Sequence, residues 1–173
     1  MKIRHFEIAS PVLLLIALSG CGYHVSGRGD LMPKTIKTIA VPAFGNVTPR
    51  YKLARLLPTD IGRELISRTN YKVVADPNQA DAVLTGTLTN FVAYPTISAN
   101  GRSTVVEAVV YLQITLTNRA TKEVLFSRNA AEFRDRYEIS IDPKAYFDES
   151  GTAMERLSKS VARSVVSAIL QKF

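Results

Sequence analysis

Two neighbouring stretches of the chain alternate apolar and polar residues with a period of two. In residues 104–117, Ala108, Val110, Leu112, Ile114 and Leu116 fall on one side. Glu107, Val109, Tyr111, Gln113, Thr115 and Thr117 fall on the other. In residues 82–94, Leu84, Leu88 and Val92 share one side, while Thr85, Thr87 and Thr89 share the opposite one. Successive side chains of a strand point to opposite faces, so this pattern describes strands buried on one face only. It commits the fold to an open sheet whose apolar face needs a separate cover.

The cover is legible as two amphipathic helices. Over 51–69, Leu53, Leu57, Ile61 and Leu65 recur every four residues, with Leu56 and Ile66 alongside. Pro58 lies inside this run and removes one backbone donor, which predicts a kink or a helix beginning near it. The last helix opens at Asp142-Pro143, a favourable cap and first position. Met154, Leu157, Val161, Val165, Ala168 and Ile169 form its apolar stripe, with a brief break expected at Gly151. Thr35–Phe44 reads as a first strand, ended by the Gly45–Pro49 segment. Residues 71–74 form a short strand followed by a turn at Asp76-Pro77-Asn78, and 124–137 form a further strand after a hairpin turn at 118–123. Residues 96–102 join the two alternating strands, and Asn100-Gly101 there favours a tight hairpin. The expected fold class is α+β: a mixed, mainly antiparallel sheet of about four strands with both helices on one face.

The amino terminus belongs to a different kind of segment. Lys2 and Arg4 precede an apolar run from Ile8 to Leu18, the layout of a secretory signal and too short for a membrane span. It ends in Leu18-Ser19-Gly20-Cys21, which matches the bacterial lipobox. That match implies lipidation of the Cys21 thiol and cleavage before it. Several acyl chains at one terminus anchor a protein firmly where a single chain is marginal. Gly22 follows, where an Asp would mark retention in the inner membrane, so the segment resembles those of outer-membrane lipoproteins. The expected organisation is a signal peptide over 1–20, a lipidated tether over 21–34, and a single α/β domain over 35–173.

Several chemistries find no support. Cys21 is the only cysteine, so no intramolecular disulfide and no paired-thiol site can form. Removal of the signal leaves His24 as the sole histidine, on the tether, so no Ser-His-Asp or Cys-His arrangement has a base. No HExxH, phosphate-loop or dinucleotide-binding motif occurs. The expected protein is not an enzyme and carries no cofactor beyond the lipid on Cys21. The chain has 22 Lys and Arg against 15 Asp and Glu, a net charge of +7. Such a balance suits nucleic acid, anionic lipid or simple solubility, and export from the cytoplasm removes nucleic acid.

With these elements in order, the chain resembles the LptE family of lipopolysaccharide-assembly lipoproteins. The resemblance rests on Gly22-Tyr23-His24-Val25 after the cysteine, on "LMPKTIKTIAVPAFGNVT" at 31–48, on "ISRTNYKVV" and "ADAVLTGTL", and on the closing "ERLSKSVARSVVSAIL". It implies a lipid-anchored protein on the periplasmic face of the outer membrane. Its partners would be an LptD-type β-barrel, which it helps fold and plugs, and lipopolysaccharide, which it helps deliver to the outer leaflet. Basic residues in loops are the expected lipid-phosphate contacts: Arg102 beside the Asn100-Gly101 turn, Arg119 and Lys122 in the next hairpin, and Lys144 before the last helix. The same strand and helix motifs also resemble lipoproteins that activate a peptidoglycan synthase or join a secretion assembly. The short tether argues against an activator, which must reach deep into the periplasm.

Overall fold

The computed structural model describes residues 32–99, 102–138 and 143–173, with side chains described except at 97–99, 102–104, 138 and 143–150. The fold is α+β. Its strands are β1 (Thr38–Ala40), β2 (Gly45–Asn46), β3 (Lys72–Val74), β4 (Ala82–Ala99), β5 (Arg102–Asn118) and β6 (Val124–Glu138). Its helices are α1 (Tyr51–Arg68) and α2 (Pro143–Leu170), and a 3-10 helix spans Pro77–Gln79. The strand order is β3-β1-β4-β5-β6, with β2 also paired to β4. β1 is parallel to β3 and β4, and β2 is parallel to β4; β4, β5 and β6 are antiparallel.

The sheet therefore has six strands where the sequence predicts about four, and three of its pairings are parallel. The difference lies in the first strand. Pro42 has no N–H to give a ladder, so the Thr35–Phe44 run yields only the three residues of β1. The chain then rejoins the same edge of β4 as β2. Ala40 pairs with Val83 and Gly45 with Thr87, so five steps on one side match four on the other. The extra length places the Phe44 ring over Gly86, where an added Cβ would lie inside van der Waals contact. Gly86 is thus required for this close approach.

A second irregularity re-aims the far part of β4. Leu88 pairs with Leu112, yet Asn90 pairs with Tyr111 and Phe91 with Val110. The bulge at Thr89 turns Phe91 to the core face and Val92 to the outward face, reversing the expected position of Val92. The Asn90 side chain accepts the Phe91 N–H at 2.8 Å, a local bond that steadies the bulge.

The core lies between the sheet and the helices. Leu84, Leu88, Val110, Leu112, Ile114 and Leu116 meet Leu53, Leu57, Ile61 and Leu65 of α1 and Leu157, Val161, Val165 and Ile169 of α2. α1 is continuous from Tyr51 and runs through Pro58, and Gly151 lies within α2 without ending it. The helices run parallel. Lys52 pairs with Glu155 at 3.2 Å, Ser158 donates to Asp60 at 2.7 Å, and Arg68 donates to Ser167 at 2.7 Å. Asp60 and Ser158 are both buried. Asp60 also accepts from Arg63 at 3.0 Å, so the buried carboxylate is served by two donors. Lys52 reaches the Gly151 carbonyl at 3.1 Å, where a larger side chain would crowd its ammonium.

The Phe44–Gly86 contact is directly testable. Gly86→Ala is expected to lower the unfolding free energy in urea by about 1–3 kcal/mol. In a Phe44→Ala background the same change should add less than about 0.5 kcal/mol, because the ring is gone. Equal penalties in both backgrounds would exclude the contact as the cause.

Candidate functional surfaces

The sheet face away from the helices is polar. Thr85 donates to the Thr115 carbonyl at 3.3 Å, Thr89 donates to the Tyr111 carbonyl at 3.1 Å, and the Thr115 and Ser127 hydroxyls lie 3.3 Å apart. Gln113 is exposed between these residues. Toward the far end the face becomes ionic. Arg136 pairs with Glu107 at 3.0 Å, and Arg134 contacts both Glu107 and Glu132. The hydrogen bond and charge of Glu132, with the charge of Glu107, raise the Arg134 guanidinium above its ordinary pKa and keep it cationic. Val109 faces this side and is 1 % exposed, yet it stands apart from the main core. Val92 and Arg134 flank it in register, so its cover comes from side chains of this face and not from a helix.

A second surface opens on the helix side. A groove of about 620 Å³ is lined by Arg63 of α1, Arg136 of β6 and Arg156, Lys159 and Arg163 of α2. The spacing of three and four residues puts the last three on one face of their helix. Three carboxylates share the groove. Asp60 is held by Arg63 and Ser158, Glu64 is paired with Arg68 at 3.6 Å, and Asp135 accepts the Arg136 N–H. Arg156, Lys159 and Arg163 have no ion pair among the described residues. They give the groove an open cationic wall suited to phosphate or carboxylate.

The basic residues expected as lipid contacts do not converge. Arg102 begins β5, whereas Arg119 and Lys122 lie beyond the other end of that strand, and the expected Asn100-Gly101 turn lies outside the described residues. Sixteen residues of strand separate Arg102 from Asn118, roughly 54 Å at about 3.4 Å per residue. Arg119 is exposed, but its Nε donates to the Ala80 carbonyl at 2.6 Å and its N–H to the Asp81 carbonyl at 2.8 Å. It therefore braces the β5–β6 turn against the start of β4. Lys122 sits in that turn with φ 63°, and Asn118 caps it by accepting from Ala120 and Thr121. Lys144 falls in the first turn of α2. The side chains of Arg102 and Lys144, and all of Cys21, lie outside the described residues. The groove escapes sequence reading because its lining comes from three separate elements; only the spacing of 156, 159 and 163 hints at it.

Among the described residues, no cluster of His, Cys, Asp and Glu could hold a metal ion, and no helix is long and apolar enough to cross a membrane.

The chain is thus an α+β domain with a polar sheet face and a cationic helix-side groove. The fold recurs in solved bacterial proteins. A DUF330 protein from Xanthomonas campestris superimposes with a TM-score of 0.55 at 15% identity, covering 84% of this chain and 91% of that one. PelC from Paraburkholderia phytofirmans, solved as a dodecamer, gives a TM-score of 0.52 at 17% identity, covering 79% and 88%. At these identities the likeness is one of fold. No curated protein matches the sequence. The model of the LptE lipopolysaccharide-assembly family matches residues 36–169, and the chain belongs to that family.

Arg119 separates bracing from binding. Arg119→Ala is expected to lower stability by about 1–3 kcal/mol, the loss of a charge-assisted bond to a buried carbonyl. Lipopolysaccharide binding by the folded fraction should be unchanged. A binding loss with full retention of stability would reverse the assignment.

Proposed function

We propose that this chain is a lipid-anchored outer-membrane lipoprotein that supports the folding of an LptD-type β-barrel, occupies its lumen and assists lipopolysaccharide delivery to the outer leaflet. Its role is non-catalytic. Membership of the lipopolysaccharide-assembly family supports the process. The observation that carries the barrel contact is the outward face of β4, β5 and β6. It carries threonine hydroxyls, an exposed glutamine and paired charges. The interior of an outer-membrane barrel is polar. A wall of hydroxyls can exchange hydrogen bonds with such a lining, directly or through water, without burying an unpaired group.

The cationic groove supplies a place for lipopolysaccharide phosphates. Arginine meets phosphate with two parallel donors, and Arg156 and Arg163 are not committed to carboxylates among the described residues. This moves the expected contact from the turns to α2.

Purification through a carboxy-terminal tag from native membranes in mild detergent tests the barrel contact. The expected result is one large barrel protein per copy, lost in a Thr87→Arg/Gln113→Arg variant whose thermal unfolding is unchanged. Capture of a peptidoglycan synthase or of further copies of the chain would overturn it. For the groove, Arg156→Glu/Lys159→Glu/Arg163→Glu is expected to weaken lipopolysaccharide binding at least about tenfold, equivalent to about 1.4 kcal/mol. The barrel should still copurify. Unchanged binding in this variant, with loss in Arg102→Glu/Lys144→Glu, would return the contact to the turns.

A further inference from the structure

The first described residue fixes where the chain enters the domain. The Met32 N–H donates to the Tyr71 hydroxyl at 3.0 Å, and both residues are buried. Lys37 and Thr38 give their N–H groups to one Asp81 oxygen, each at 2.9 Å. The entry point is therefore pinned at the end of the sheet where β1, β3 and β4 begin and β5 ends. Both helices finish at this same end. α1 leads into β3, and Gln171 and Lys172 after α2 line a hollow with Val124–Arg128 of β6.

This end is cationic. Lys34, Lys37, Lys72, Lys122 and Lys172 are exposed, and none is ion-paired among the described residues. Lys172 is placed to offset the partial negative charge of the α2 terminus. The other four lysines come from four other segments and serve no such purpose together. The acids nearby include Glu123, Asp81 and Asp76; Asp81 is occupied by backbone donors, and Asp76 accepts from the Asn78 N–H and the Gln79 amide. Val124 and Phe173 expose apolar surface at the same end, 56% and 40% respectively. At the far end of the sheet, by contrast, Arg134 and Arg136 are already paired with Glu107 and Glu132.

We propose that this entry end docks on the anionic phospholipid headgroups of the leaflet that holds the lipid anchor, standing the sheet upright on the membrane. The proposal rests on lipidation of Cys21. Eleven chain steps lead from Cys21 to Met32, a reach of about 36–40 Å at most. The sheet is longer, roughly 54 Å at about 3.4 Å per residue. An upright domain can therefore touch that leaflet only with its entry end. Exposed lysines attract such a surface, with each contributing on the order of a fivefold gain in local partitioning. Val124 and Phe173 are placed to enter the headgroup region. The long β4–β5 hairpin then points away from the leaflet, toward the interior of a barrel partner.

The test uses the mature lipidated chain in vesicles of phosphatidylethanolamine and phosphatidylglycerol. Cys21 is the only native cysteine and its thiol is blocked by lipid, so Gln171→Cys and Tyr94→Cys each provide a single labelling site. Both replaced residues are exposed, at opposite ends of the sheet. A fluorophore at 171 should be quenched by nitroxide headgroup lipid at least about threefold more than one at 94. The difference should vanish near 1 M salt, where screening extends only about 3 Å. It should also shrink in phosphatidylcholine vesicles and in Lys34→Glu/Lys37→Glu/Lys122→Glu, while that variant still floats with the vesicles. Equal quenching at both sites, or a difference indifferent to salt and lipid charge, overturns the docking alone. A chain whose intact mass lacks acyl groups and that fails to float overturns the anchor reading and the docking with it.

Discussion

β4 and β5 pair from Ala82 against Asn118 to Ala99 against Arg102, and almost every other element answers to that hairpin. Its apolar row, from Leu84 and Leu88 across to Val110, Leu112, Ile114 and Leu116, would be exposed to water if the hairpin stood alone. Two helices laid in parallel cover it. Once they do, the polar row on the opposite side has nothing above it. The two faces of the domain are one consequence of a period-two pattern. β4 also acts as the hub of the mixed sheet, because its other edge takes β1 and β2 as an interrupted parallel strand.

The helix layer is tied by polar contacts as well as by packing. Ser158 and Asp60 meet in the interior, and Lys52 and Arg68 make exposed cross-helix contacts at either end of α1. Apolar stripes can slide by a turn at small cost, whereas a buried carboxylate cannot leave its donors without a penalty. The Asp60–Ser158 bond therefore sets the register of α2 on α1. That register in turn holds Arg156, Lys159 and Arg163 beside Arg63. A structural contact in the core thus positions a cationic wall on the surface.

Much of this was legible in the sequence where a regular period ran unbroken. β5 shows its alternation from Ala108 to Leu116, and α1 shows its four-residue repeat, so both emerge where expected. Errors occur where one inserted residue changes the phase. Val92 continues the period set by Leu84 and Leu88, but the bulge at Thr89 hands its place to Phe91. Asn90 followed by an aromatic residue is the only local hint. β2 is two residues long, too short for any periodicity, and exists because Pro42 interrupts the first strand. Among the turn residues, Arg119 has a structural partner that its sequence does not announce. Arg119 has the exposure of a ligand contact, and only its bond to the Ala80 carbonyl shows that it serves the fold. The cationic groove gathers residues from three elements, and no linear pattern records that.

The bulge also divides the sheet by function. On the near side of Thr89 the outward face is made of neutral hydroxyls and amides, and the inward face lies deep in the core. Beyond it, Ala93, Tyr94 and Pro95 are exposed, and the outward face turns to paired charges around Val109. A bulge increases strand twist and bends the strand, so the far part of the hairpin departs from the plane that the helices cover. Its outward face is braced by its own ion pairs. Its inward residues Val106, Ala108 and Phe133 are buried, while Phe91 is half-buried, with Arg50 stacked 4.7 Å from the Phe91 ring centre. The same arrangement explains why the unpaired cations lie elsewhere. At the far end Arg134 and Arg136 are paired with Glu107 and Glu132, whereas the lysines at the entry end and the cations of α2 have no ion pair among the described residues and remain open to an anionic partner.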